Sequence, residues 1–143
     1  MAVPISSQQK ALIALLRAAG RVRRGFAGAL DAHGLTASQY NVLRILRGAG
    51  GELPIMTIRD RMMDPEPSIT RLVDRLEERG LVARHRIPED RRRVDCALTR
   101  EGLRLVASLD EPVDAVDRKL MEGLSESELE TVTTLLARVA PTK

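Results

Sequence analysis

The apolar residues of this chain change their spacing once and then change it back, and that switch limits what the chain can fold into. Up to residue 79 they recur at intervals of three and four, the repeat of helices with one buried face. From Val82 they alternate. Val82, Arg84 and Arg86 interleave with Ala83 and His85, then Val94, Cys96 and Leu98 with Asp95 and Ala97. Two short runs of period two, joined by the polar segment Pro88 to Arg93, read as a β-hairpin. After Thr99 the helical interval returns. The expected order is α-α-α-α-β-β-α-α. Residues 35–99, three helices and then a hairpin, have the order of a winged helix-turn-helix, so the expected fold class is mainly α with a small β-hairpin wing.

Local signals set the expected boundaries. A first helix spans 6–31, with Ser7 as its cap and Gly34 closing it in a left-handed conformation. Thr36 opens the second in a Thr-x-x-Gln capping box with Gln39, and Gly48 to Gly51 ends it. A third covers Leu53–Met63. Asp64 and Pro65 read as cap and first helical residue of a fourth, with Pro67 still in its first turn, Ile69, Leu72, Val73 and Leu76 on its buried face and Gly80 as its stop. Thr99 opens a fifth helix with a heptad-like row, Val106, Leu109, Val113, Val116, Leu120 and Leu124, kinked at Pro112. Ser125 opens the last, in a capping box with Glu128.

Composition removes several function classes. The chain has 143 residues, enough for one domain with one modest core. One cysteine leaves no intrachain disulfide and no cysteine-cluster metal site. Two histidines and that cysteine show no ligand spacing, so neither a metal nor a cofactor is expected. The longest apolar run, Ala11–Leu16, is far short of the roughly 20 residues that span a bilayer. No cleavage site follows it, so a cytoplasmic location without membrane contact is expected. The nucleophile-elbow motif Gly-x-Ser-x-Gly, the zinc-binding helix motif His-Glu-x-x-His and the phosphate-loop motif are absent, and no enzyme is expected. Phe26 and Tyr40 are the only aromatic residues, too few for a single-strand binder that stacks bases on rings.

Charge is uneven. Residues 1–30 carry five bases and no acid, whereas residues 101–143 carry five bases and nine acids. Of the 23 basic residues 20 are Arg, whose planar fork suits phosphates and base edges. On the fourth helix Ser68, Thr70, Arg71, Asp74 and Arg75 fall outside the buried face. The two short residues allow close approach, and Arg71 and Arg75 reach a guanine edge or a phosphate. The plainer reading is a solvated face of Arg–acid pairs, since residues 66–80 hold three Arg and four acids. The hairpin favours the first. Residues 83–100 hold six Arg against three acids, and Asp90 stands two positions before Arg92, placed to hold its guanidinium for a minor groove. Cys96 points inward as a small core residue, the alternative being an oxidation-sensitive thiol. His33 suits a helix C-terminus.

With these features the chain resembles the MarR family of bacterial regulators. The resemblance rests on Gly34-Leu-Thr-Ala-Ser-Gln-Tyr40, Pro67-Ser-Ile-Thr-Arg-Leu-Val-Asp-Arg-Leu-Glu77, Gly80-Leu-Val-Ala-Arg84, Asp90-Arg-Arg92 and Leu98-Thr-Arg-Glu-Gly102. It implies a single unit over 1–143, with a DNA-binding lobe at 35–99 and dimerisation helices in 1–34 and 100–143. It implies a homodimer that binds double-stranded DNA at a palindromic operator, acting as a repressor, and a small-molecule or oxidant signal that releases the DNA. The DNA-binding positions it implies are Pro67, Ser68, Thr70, Arg71 and Arg75 on the reader helix and Asp90, Arg91 and Arg92 on the wing. Glu66 departs from the family, where a neutral polar residue is commoner. The first helix lacks the Cys of the oxidant-sensing branch. The rival function is a winged-helix adaptor that docks on a protein and binds no specific DNA.

Overall fold

A computed structural model describes residues 1, 3–64 and 66–140. Among the described residues, seven helices and three strands follow one another as α1 (Ser7–Asp31), α2 (Ala37–Ala49), β1 (Leu53–Pro54), α3 (Ile55–Arg61), α4 (Ile69–Glu78), β2 (Val82–Ile87), β3 (Asp90–Leu98), α5 (Arg100–Ser108), α6 (Asp110–Met121) and α7 (Glu126–Leu136). The strands form one antiparallel sheet in the order β1-β3-β2, with Leu53 opposite Cys96 and Arg84 opposite Cys96 on the other side. The mainly helical fold with a winged hairpin is the one expected.

One core joins the lobe to its flanks. Leu43, Leu46, Ile58, Val73, Leu76, Val82 and Cys96 lie fully buried with Leu30 of α1 and Val106 and Leu109 around α5. α1 packs on α6 at Gly25, where a β-carbon would stand 3.3 Å from Val116 and from Leu120. Three capping boxes hold, at Ser6–Gln9, Thr36–Gln39 and Ser125–Glu128. Gly34 takes φ 65°, the left-handed turn foreseen for it.

Five boundaries differ from expectation, each for a local reason. Ser6, not Ser7, caps α1, because its partner Gln9 lies three residues on. Leu53 and Pro54, expected to open the third helix, instead pair with β3, so α3 begins at Ile55. The fourth helix begins at Ile69 rather than near Pro65. Pro67 disfavours the helical region for Glu66 before it, and the side chain of Ser68 accepts from the Arg71 amide to cap the helix there. β3 begins at Asp90, so the joining loop is shorter than Pro88 to Arg93. The expected kink at Pro112 is a break at Leu109. A ring at 112 clashes with the carbonyl four residues back, and Pro112 is accommodated in the first turn of a separate α6.

Candidate nucleic-acid interface

Helix α4 turns Ile69, Leu72, Val73 and Leu76 into the core. That leaves Thr70, Arg71 and Arg75 exposed on its other side, with Pro67 and Ser68 exposed at its start. The acids of this helix decide what the outer face presents. Arg84, from β2, ion-pairs with both Asp74 and Glu77. Its backbone N–H also donates to Glu77 Oε2 at 2.9 Å. This contact holds the Glu77 carboxyl below its ordinary range, chiefly through the Arg84 side-chain hydrogen bond. Asp74 and Glu77 of α4 thereby share the single positive charge of Arg84, which offsets one of their two negative charges. Among the described residues neither Arg71 nor Arg75 has an ion pair.

At the hairpin tip Arg91, Arg92 and Arg93 are all exposed, but Arg93 is engaged in an ion pair. Arg93 forks onto Asp95, Nε to Oδ1 at 2.7 Å and Nη2 to Oδ2 at 2.9 Å, and that carboxylate is nearly closed off from solvent. Asp90 acts differently from expectation. Its Oδ1 accepts from the backbone N–H of Arg92 at 3.0 Å, and among the described residues no bond joins it to the Arg92 guanidinium. An Asp hydrogen-bonds the amide two residues on more readily than a long mobile side chain, so it shapes the turn and leaves the guanidinium free to swing.

A groove separates the start of α2 from the start of α4. Thr36, Ser38 and Gln39 line one side, and Glu66, Pro67, Ser68, Arg71 and Arg75 the other. Ser38 Oγ donates to Glu66 Oε1 across it. A hairpin beside a helix whose outer face carries two uncompensated Arg is suited to a polyanion with grooves.

Comparison with known proteins agrees. Residues 33–93 match the MarR family. The chain is 32% identical over 130 residues to the HTH-type transcriptional regulator MhqR of Bacillus subtilis, across 91% of this chain and 89% of that protein. The chain belongs to the MarR family. It is a transcriptional regulator and not an enzyme. Two solved structures extend the likeness. One is a mutant of Escherichia coli MarR complexed with operator DNA, 26% identical at a TM-score of 0.81, spanning 94% of this chain and 95% of that one. The other is BpsR of Bordetella bronchiseptica, whose DNA binding is regulated by 6-hydroxynicotinic acid, 25% identical at 0.86, spanning 99% and 100%.

Other residues of this MarR-family regulator fall into place as structure. Cys96 is wholly buried, and burial pushes its thiol up to about 11, so it is a core residue and a poor nucleophile. Arg79, which spacing had not singled out, donates from Nη1 to Gly34 O at 2.8 Å and from Nη2 to His33 O at 3.0 Å. It ties the end of α4 to the end of α1. His85 Nε2 meets Glu52 Oε2 at 2.9 Å, linking the wing to the turn before β1. Neither contact leaves a signal in residue spacing, because both partners come from distant segments. Among the described residues no group of three or more His, Cys, Asp and Glu is placed to hold a metal ion, and no helix is long and apolar enough to cross a membrane.

Proposed function

We propose that this protein is a homodimeric, effector-responsive repressor of the cytoplasm that reads a palindromic operator. Residues 35–99 form the DNA-binding lobe, and 1–34 and 100–143 the dimerisation segments. Pro67, Ser68, Thr70, Arg71 and Arg75 enter the major groove. Arg91 and Arg92 enter the flanking minor groove, and Asp90 sets the turn that presents them. The observation that carries this reading is the capture of Asp74 and Glu77 by Arg84, which leaves Arg71 and Arg75 uncompensated on the outer face. The operator complex of the E. coli relative supports it. Support for an effector comes from BpsR and from an open surface pocket of about 360 Å³ at the junction of α2, β3 and α5, lined by Leu46, Leu98 and Leu103 together with Arg47, Thr99 and Arg100. That volume is near the lower end for small-molecule sites.

The test is fluorescence anisotropy on a duplex selected from a random pool by the protein, across a salt series. The logarithm of affinity should fall steeply with the logarithm of salt concentration. Arg71→Ala should weaken the selected duplex by about 1–3 kcal/mol and relax preference at one base position. A flat salt response would favour the adaptor. Equal weakening on all sequences would reduce Arg71 to a phosphate contact.

A further inference from the structure

Glu66 has an odd position for a protein that binds a polyanion. Its carboxylate lines the groove shared with Arg71 and Arg75, the two cations assigned to the duplex, yet neither is within ion-pair distance of it. Its one side-chain partner among the described residues is the Ser38 hydroxyl, a neutral donor. Asp74 and Glu77 differ from it, because both ion-pair with Arg84 and share its positive charge. The charge of Glu66 is held in place and left uncancelled. Both residues are half-buried, so water screens it less than it would a mobile surface acid. The same bond occupies the Ser38 proton, which is then unavailable to a phosphate.

We propose that Glu66 is an affinity-determining residue of the DNA-binding face: an internal carboxylate, fixed by Ser38, that repels phosphate at the start of the reader helix and so restrains binding to DNA of any sequence. The proposal rests on the duplex-binding reading above. It assigns Glu66 no base contact, so its effect is sequence-independent. Glu66→Gln is the clean substitution, since the amide oxygen can still accept from Ser38 while the charge is gone.

The probe is a 30-base-pair duplex of mixed sequence, titrated with the full-length protein over a salt series. Glu66→Gln should bind at least about fivefold more tightly at low salt, the equivalent of removing one carboxylate–phosphate repulsion at close range in water. Its log–log salt slope should steepen by about one per reader helix. Glu122→Gln, the loss of an exposed acid at the end of α6, is the control and should change neither quantity. Unchanged or weaker binding by Glu66→Gln overturns the proposal, as does equal tightening by Glu122→Gln, which would make net charge the cause. Failure of the wild-type protein to bind any duplex with a salt-dependent affinity overturns the functional reading instead.

Discussion

At the scale of single residues, the controlling fact is how a few Arg are shared among the acids. Arg84 serves α4, Arg93 serves Asp95, and Arg47 forks onto Asp110 at 3.0 and 2.8 Å. Each contact favours the charged carboxylate in the folded chain, so Glu77, Asp95 and Asp110 are all held below their ordinary values, each chiefly by its Arg hydrogen bond. The sign follows from proton linkage. The folded state binds fewer protons than the unfolded one, so this stabilisation is complete above the ordinary carboxylate range, near 3.8 to 4.5, and is lost as pH falls through the depressed folded values. Urea unfolding followed from about pH 6 down to about pH 3 should therefore show falling stability. Glu77→Gln should flatten that fall, and an unchanged profile would show that Glu77 takes no part in it. Sequence alone could not supply this. It counted three Arg and four acids over residues 66–80 and could not say which acids are spoken for. Arg84 lies outside that window, and only the packing of β2 on α4 brings it in.

At the scale of elements, what was legible was what is local. Capping boxes depend on residues three apart, and the buried faces of α2 and α4 on a repeat of three and four, so the Thr36–Gln39 and Ser125–Glu128 boxes and both faces are readable directly, whereas adjacent serines at 6 and 7 hide the Ser6–Gln9 box. The strand of Leu53 and Pro54 could not, because two residues have no period and pair only once β3 is alongside. The start of α4 is ambiguous in sequence, because Pro65 and Pro67 both suit a first helical turn and both disfavour helix in the residue before them; Pro65 lies outside the described residues, and the helix opens at the Ser68 cap. Gly102 is a close approach that periodicity does not reveal. A β-carbon there would stand 2.0 Å from the Leu81 carbonyl oxygen, a backbone atom with no room to move. That carbonyl accepts the Thr99 amide at 3.1 Å, and Thr99 Oγ1 in turn accepts the Gly102 amide at 3.0 Å, so the junction of β3 and α5 closes on itself. Gly102→Ala should cost about 1–3 kcal/mol or more, read as a lower urea midpoint. A midpoint equal to wild type would show that α5 can slide away from Leu81 freely.

At the scale of the whole molecule, the chain leaves unburied what a lone protomer needs to bury. α7 has 11 residues and buries none of them, while Leu135 and Leu136 stand 51% and 46% exposed. On α1, Leu12 and Leu16 are 53% and 68% exposed. A helix that short is marginal in water without packing partners, and exposed apolar stretches at both ends of one chain mark a surface made to be covered. Under the proposed dimer a second copy covers it. The probe for this must lie on the uncovered face. Val116 and Leu120, which belong to the same heptad-like row, pack against α1 at Gly25 within the protomer, so a charge at Val116 would test folding and not assembly. Leu135→Asp tests assembly, since the residue is exposed in one chain and would be buried between two. Wild-type protein at micromolar concentration should sediment at twice the chain mass of 15.8 kDa, and Leu135→Asp should sediment nearer to one chain, with lower helical content because α7 loses its support. Its operator affinity should fall steeply as well, because a palindrome presents two half-sites to one dimer and only one to each separated protomer. A wild-type monomer with α7 intact would overturn the dimer, and the terminal helices would then need another partner.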